Sequence, residues 1–439
     1  MPASKGFSFL VRRRRHGATI GAAAALSLLA LSYVGSWIAG WPALPDLLQG
    51  PLLAALPGPM FGFLIDTLQH LGKVTEETGI AVAIVIAGTG LGALLSLTSK
   101  RHRPPTDIGR RRLLQIAPVA IAGVALAVTS ARLVPEWWLA LRPPEGGTGE
   151  VPAITPTSSF YMVSKNFSDP VVVAVGWRLT IGGLVDRGRT LTYEDLRDMS
   201  QAAEVVTLEC VSNPVGGRLM STGRFEGPRL IDLLSAAGRQ ASAKYATFKS
   251  ADGYTESLPL SEIGPEVLVA ITLNGSPLPN EHGFPARLVV PGRYGMKQPK
   301  WLESVELASD PVAGYYEAKG WTDSALVKTT ARIDAPSDGD RVSRRSVDLA
   351  GVAFAGTRGI SMVEWSSDEG ATWSTAQLEP MLSQYAWRQW RARWQPDTSG
   401  HRVLMVRAHD GTDRLQESMP TSSFPDGSAG LHSTQVTVA

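Results

Sequence analysis

Cys210 is the only cysteine in a chain of 439 residues. It stands in Thr207-Leu208-Glu209-Cys210-Val211-Ser212-Asn213-Pro214. An apolar run, Glu204 to Leu208, leads into it, and a loop rich in Pro and Gly, Pro214 to Gly217, follows. A thiol delivered by a strand end onto small-residue backbone is placed to meet something bulky, whereas an ordinary buried cysteine is only a small hydrophobe. A single cysteine excludes a disulfide, a thiolate-held iron–sulfur cluster, a cysteine-paired zinc site and Cys-x-x-Cys-His haem attachment. Two other polar groups punctuate the same region. Lys165-Asn166 lies upstream, and His282 to Leu302 lies downstream, containing Arg287, Arg293, Gly295, Met296, Lys297 and Lys300. Asn213, Arg218 and Arg224 accompany the cysteine itself. Cations beside Gly-rich backbone provide what an anionic phosphate ligand requires, charge plus N–H groups free to approach. The same run also reads as a solvated basic loop, since charged runs usually face water. Cys210 as a nucleophile with His282 as its base would need an orienting group, and no known local signature surrounds it.

These residues need elements to hold them, and residues 158–330 read as α+β with mostly short strands. Trp177 to Ile181 is strand-like and ends at Gly182-Gly183. Thr192 caps a helix start, Glu204 to Leu208 is a buried strand, and Pro228 to Ala237 has helical apolar spacing stopped by Gly238. Val267 to Leu273 turns at Asn274-Gly275, a hairpin signal, and Arg287 to Val290 is another short strand. From Ala331 to residue 439 strand-length runs recur between turns, as in an immunoglobulin-like all-β sandwich. Trp390, Ala392 and Trp394 alternate there with Arg391 and Arg393. Its Asp-rich turns fit ordinary turn chemistry better than calcium, because no ligand spacing is complete.

The N-terminal 142 residues read as a membrane anchor of three transmembrane α-helices. Ala18 to Trp41, Gly79 to Leu97 and Leu113 to Val134 approach the ~20 apolar residues that cross a bilayer. Leu52 to Leu71, interrupted by Pro57, Pro59, Asp66 and His70, is expected to lie in the interface or re-enter. Basic clusters at Arg12 to Arg15 and Lys100 to Arg112 belong in the cytoplasm by the positive-inside rule. Everything after about Pro135 is therefore expected on the extracytoplasmic side of the plasma membrane, with Trp137 and Trp138 anchoring the last exit. Gly88-x-Gly90-x-Gly92 reads as close helix packing rather than a nucleotide loop, which would need a preceding strand. Arg110-Arg111-Arg112-Leu113-Leu114-Gln115 reads equally as a twin-arginine export signal and as a stop-transfer cluster. Residues 143–157, rich in Pro, Gly and Thr, read as a linker. The net charge of +2 offers no basic field for nucleic acid.

Read together, four segments resemble the sulfite oxidase family of molybdenum enzymes. They are Leu208-Glu209-Cys210 through Asn213, Gly223 to Leu230, His282 to Arg287, and Pro291-Gly292 through Lys300-Trp301-Leu302. Val363-Glu364-Trp365-Ser366 through Thr372-Trp373 matches the family's second domain, and the resemblance runs from Phe160 to near the C-terminus. It implies a molybdopterin-binding catalytic domain followed by an immunoglobulin-like domain of dimerising type, hence a homodimer. It implies that Cys210 supplies the protein thiolate to molybdenum. Lys165, Asn166, Asn213, His282, Arg287, Lys297 and Lys300 would hold the pterin and its phosphate, with Gly295 and Met296 contributing backbone groups. Soft sulfur donors suit a redox-active metal. Three positions depart from the family pattern; one is the tyrosine expected near the metal after the Lys300-Trp301 motif, which has no clear counterpart although Tyr315 and Tyr316 fall nearby. Val215 replaces the arginine that follows the cysteine by five residues in sulfite-oxidising members, and Lys165 replaces an early arginine. A sulfite dianion calls for a dense arginine pocket, so the expected substrate is another oxo-transfer molecule, for example an S-oxide. With no haem or iron–sulfur signature in the chain, a cytochrome or quinone must carry the electrons. The alternatives are a true sulfite dehydrogenase, and a cofactor-free, membrane-anchored binding or adhesion module.

Overall fold

A computed structural model describes residues 18–33, 44, 47–48, 80–89, 91, 94–95, 151–166 and 169–439. Two compact units result: Met1–Leu56, Thr67–Glu145 and Asn166–Ser168 form one, and Pro57–Asp66, Gly146–Lys165 and Asp169–Ala439 the other.

In the N-terminal unit, helix α1 covers 18–33 and α2 covers 80–89. A Cβ on Gly88 would come within 2.7 Å of the Ala25 Cβ and 2.9 Å of the Gly21 carbonyl. The glycine therefore permits close helix contact, as expected for small residues at an apolar helix interface. Ile20, Leu28, Leu31, Val82 and Ile86 are exposed on these helices. Among the described residues no helix is long and apolar enough to cross a membrane. Leu113 to Val134, the arginine motif before it, Trp137, Trp138 and the Leu52 to Leu71 segment lie outside the described residues.

The second unit opens with the α+β domain. Its strands are β1 (Leu179–Gly183), β2 (Arg189–Leu191), β3 (Ala202–Glu209), β4 (Met220–Gly227), β5 (Tyr245–Ser250) and β6 (Thr255–Pro259). They are followed by β7 (Leu268–Ala270), β8 (Thr272–Leu273), β9 (Ser276–Pro277), β10 (Arg287–Val289) and β11 (Leu302–Ala308). One sheet runs β2-β1-β11-β5-β6, a second runs β3-β4-β8-β9, and β10 pairs with β7. Leu179, Ile181, Phe248, Val305 and Leu307 of the first sheet form one core with two short helices, α3 (Tyr193–Asp198) and α4 (Leu230–Ala237). Thr192 makes a full capping box with Asp195 at the start of α3. Gly238 closes α4 at φ +73°, where a side chain would be strained. Asn274 and Gly275, both at positive φ, turn β8 into β9. The expected run Val267 to Leu273 is split into β7 and β8, which belong to different sheets.

The remaining strands form the C-terminal all-β domain: β12 (Thr330–Ala335), β13 (Arg341–Val342), β14 (Val347–Phe354), β15 (Ile360–Ser366) and β16 (Ser374–Thr375). Then come β17 (Gln377–Leu378), β18 (Arg388–Trp394), β19 (Gly400–Asp410) and β20 (His432–Val438). Sheets β12-β14-β18-β17 and β13-β20-β19-β15-β16 enclose one core containing Leu349, Trp390, Trp394, Leu404 and Val406. The alternation read along β18 holds, with Trp390 and Trp394 buried while Arg391 and Arg393 pair outside with Glu379 and Asp348. Asp368 accepts from Ser366 and from the N–H and hydroxyl of Thr372, ordinary turn bonds that hold its pKa down at about 2.

A third core joins the two domains. Val211, Met220, Tyr294, Met296 and Trp321 pack there with Val352, Phe354 and Trp387. The expected linker is docked over its last residues. The Thr155 N–H donates to the Thr222 carbonyl, and the Trp387 indole donates to the Ala153 carbonyl.

Candidate functional site

The β3–β4 ladder runs in unbroken antiparallel register from Ala202↔Gly227 to Glu209↔Met220. Cys210 is the first residue past that ladder, so residues 210–219 are the loop that closes the hairpin. The Cys210 N–H still bonds the Leu219 carbonyl at 2.9 Å, and the thiol stands 3.1 Å from the Ser212 hydroxyl. Asn213 is buried and organises the loop. Its amide NH2 donates to Glu209 Oε1 at 2.9 Å, and its Oδ1 accepts the Leu219 N–H at 3.0 Å. Gly217 has to be glycine, because a Cβ would stand 2.3 Å from that Oδ1. Glu209, the residue before the cysteine, is buried, and its Oε2 makes no hydrogen bond. Burial raises its pKa to about 7 against the opposing pull of Asn213 and Arg332.

Two backbone turns organise the downstream cations. Asn280–His282 is one turn of 3-10 helix, and Gly283 follows at φ +106°. A Cβ on Gly283 would lie 3.0 Å from the Cβ atoms of both Arg287 and Lys300, so its bareness lets those two side chains start side by side. Arg287 is buried, its guanidinium bonding the His282 carbonyl at 3.2 Å and the Gln298 carbonyl at 3.3 Å. Burial lowers its pKa to about 10. His282 is buried edge-on to Phe160, with ring centroids 5.4 Å apart. Burial, with Arg287 and Lys300 beside it, depresses its pKa to about 4, so it is neutral at pH 7. The Lys300 ammonium donates to the Glu281 carbonyl at 2.9 Å and lies 4.2 Å above the Trp301 ring. Lys165 donates to the Asp252 carbonyl at 2.9 Å and stands 5.4 Å from the centre of the Tyr315 ring. Asn166 groups with the N-terminal unit.

The second turn is Gly295–Lys297. A Cβ on Gly295 would meet the Tyr161 hydroxyl at 3.1 Å and the Glu209 carbonyl at 3.5 Å. The turn therefore lies against the end of β3, one residue before Cys210. The buried Met296 gives its carbonyl to the Tyr254 hydroxyl at 2.6 Å. Lys297 requires a correction. Its buried ammonium is held by Glu256 at 2.7 Å, Glu317 at 2.7 Å and Asp323 at 2.9 Å. Burial alone would pull its pKa down, but the carboxylates outweigh that and raise it. Lys297 fastens the Gly295 turn to the segment after Tyr316, and its charge is spent on protein carboxylates rather than a ligand. Arg218 and Arg224 do not join the cations either; Arg224 pairs with Glu226 on β4.

Tyrosines complete the surroundings. Tyr161 is half-buried; desolvation raises its pKa, the charges of Cys210 and Glu209 raise it further, and Arg287 opposes them. Tyr316 is half-buried; desolvation raises its pKa, and it lies close enough to Cys210 that a thiolate there would raise it further. The Tyr315 and Tyr316 rings stand at right angles 5.2 Å apart, next to Tyr254. Nothing in their spacing singled out Tyr161 or Tyr254, whereas Tyr315 and Tyr316 are noted in the sequence after the Lys300-Trp301 pair.

The site thus offers one thiol at a strand end, a neutral imidazole, and Arg287 and Lys300 beside the bare Gly283. Soft sulfur for a metal and cations near bare backbone for a phosphate are the donor set that a molybdenum–pterin cofactor requires. The class so defined is a molybdopterin-binding oxidoreductase, and comparison with known proteins agrees. Residues 166–316 match the oxidoreductase molybdopterin binding domain, and residues 324–424 match the Mo-co oxidoreductase dimerisation domain. Mitochondrial sulfite oxidase of Homo sapiens is 29% identical over 301 residues, covering 58% of this chain and 55% of that protein. An uncharacterized oxidoreductase of Bacillus subtilis, YuiH, is 33% identical over 146 residues, covering 33% of this chain and 72% of the other. The crystal structure of the sulfane dehydrogenase SoxCD from Paracoccus pantotrophus shares the fold at a TM-score of 0.59 and 22% identity, covering 65% of this chain and 81% of that one. The chain belongs to the sulfite oxidase family of molybdopterin oxidoreductases. It spans about half the length of the mammalian sulfite oxidases that it matches.

Proposed function

We propose that this chain is a membrane-anchored oxidoreductase that moves an oxygen atom and two electrons at a mononuclear molybdenum held by Cys210, acting on an S-oxide or similar oxo donor rather than on sulfite. The position of Cys210 carries the reading: one thiol at the strand end where the β3–β4 hairpin opens into its loop, near Tyr316 and next to the residue that the Gly295 turn packs against. With the pterin bound, the metal supplies two-electron redox chemistry and an oxygen-accepting centre. The protein supplies the thiolate from Cys210, and for the cofactor's anionic tail the Lys165 and Lys300 ammonium groups, each more loosely paired than Lys297, with Asp252 at 3.4 Å and Asp169 at 3.8 Å. His282 stays uncharged beside Arg287 and Lys300, so it can accept a hydrogen bond from the pterin without adding to their repulsion. Tyr161 and Tyr316, held protonated by burial, are hydroxyl donors toward the same space.

The substrate assignment rests on Val215. Its methyl faces Gly430 of the C-terminal domain, 3.4 Å from where a Cβ there would stand. The position that carries an arginine in sulfite-oxidising relatives is therefore an apolar domain contact in this chain. A pocket with less positive charge favours a neutral oxo donor over a dianion. The name of the human relative favours sulfite instead, so both substrates need assaying on purified enzyme. An S-oxide reduced at least tenfold faster than sulfite is oxidised supports the proposal; the reverse preference refutes it.

The anchor, the extracytoplasmic location, the immunoglobulin-like character of the C-terminal domain and the homodimer belong to the same proposal. The lipid-like face of α1 and α2 supports the first, and the matched dimerisation domain supports the last. A topology reporter fused at Gly146 should be active only outside the cytoplasm. An external cytochrome or quinone then carries the electrons.

A further inference from the structure

We propose that the C-terminal domain, beyond any part in dimerisation, positions Cys210 in its own chain, with Ser428, Arg332 and His432 gripping the far side of the 210–219 loop. This assigns positioning roles outside the cofactor pocket, and rests on the reading of Cys210 as the metal's thiolate only for its importance to catalysis.

The contacts fall on consecutive parts of one loop. The Ser428 hydroxyl donates to the Asn213 carbonyl at 2.7 Å. The Arg332 guanidinium, on β12, donates to the Gly217 carbonyl at 2.9 Å and is itself held by Asp334 at 2.8 Å. Between them the His432 ring lies flat against Gly216. A Cβ there would sit 1.9 Å from the His432 Cδ2, and Gly216 is at φ +72°. Only glycine fits that space and that backbone. His432 Nδ1 accepts the Ile333 N–H at 3.0 Å, so β20 and β12 present the ring and the guanidinium as one unit. That acceptor role needs a neutral imidazole, and burial lowers the His432 pKa in spite of Asp334 and Asp338; Arg332 and Arg218 press the same way as burial.

Asn213 is consequently used on both faces. Its side chain points in to Glu209 and the Leu219 N–H, and its carbonyl points out to Ser428. Two residues separate it from the cysteine, whose carbonyl accepts the Asn213 N–H at 3.0 Å. Loosening the outer grip frees Asn213, and the thiol with it.

The single cysteine makes this measurable without the cofactor. The full chain, prepared cofactor-free, is reacted with 5,5′-dithiobis(2-nitrobenzoate), and the labelling of Cys210 is followed in the parent, Ser428→Ala, His432→Ala and His432→Asn. Losing one hydrogen bond raises the population of the opened loop about fivefold, and Ser428→Ala should label faster by that factor. His432→Ala should label at least about tenfold faster. His432→Asn, which keeps an acceptor at the δ position, should stay below the alanine variant. The overall tryptophan fluorescence and the circular dichroism spectrum should not change. Parent-like labelling in both alanine variants overturns the proposal. So does acceleration that appears only with loss of the tryptophan signal, because the effect is then general unfolding. Ser428→Ala removes a single oxygen and keeps the test decisive if His432→Ala does not fold. A chain that purified without molybdenum would sink the functional reading and leave this result standing.

Discussion

Cys210 has one role that no neighbouring residue can share, since a serine hydroxyl does not replace a thiolate as a soft metal ligand. Cys210→Ser should reduce activity to background and strip molybdenum from the purified protein, with the circular dichroism spectrum unchanged. Asn213→Ala removes two buried hydrogen bonds and leaves Glu209 without its partner. It should cost about 2–4 kcal/mol in denaturant unfolding, where a surface asparagine would cost almost nothing. His282 gives a pH signature. Its folded pKa of about 4 lies below the ordinary imidazole value of 6.5, so the unfolded chain binds the extra proton between those values. Stability should therefore fall as pH drops from about 6.5 to 4, by roughly 2–3 kcal/mol. Thermal melts of His282→Gln should lack that component. At this scale the sequence was informative wherever a residue's type was rare, as with the lone cysteine. It misled at Lys297, because nothing in Pro291 to Lys300 reveals that carboxylates from positions 256, 317 and 323 converge on one ammonium.

Among the elements, the β3–β4 hairpin and the two short turns do the placing. Apolar residues along Glu204 to Leu208 and the Pro-Gly loop after Cys210 made the strand end legible. Its partner β4 was not: Met220–Gly227 reads Met-Ser-Thr-Gly-Arg-Phe-Glu-Gly, with no clean alternation to mark it. The pattern was obscured because Met220 to Gly223 are buried on both faces, with Gly223 leaving room for Phe160 and Leu273. The Lys297 network is a property of elements in the same sense, tying the Gly295 turn to β6 and to the segment beyond Tyr316. Lys297→Met should cost about 3–5 kcal/mol, since it strands buried carboxylates. Substoichiometric cofactor in that variant should track its unfolded fraction, checked by metal content measured on the folded peak from gel filtration.

For the whole molecule, the order of regions was readable from composition, because apolar runs, mixed short strands and regularly spaced strands follow one another along the chain. How closely the α+β and all-β domains join was not. Val211 and Met220 look like ordinary core residues of their own domain, yet they pack with Val352, Phe354 and Trp387 of the next. Removing residues beyond Asp323 should therefore expose that shared core and yield insoluble protein rather than a free catalytic domain, as a solubility assay of the truncated chain would show. The most direct test of the central claim is molybdenum and pterin content of the full chain purified from its native host, beside Cys210→Ser. The account predicts about one molybdenum and one pterin per parent chain, with molybdenum lost in the variant. A folded parent with neither would contradict it, as would equal molybdenum in parent and variant.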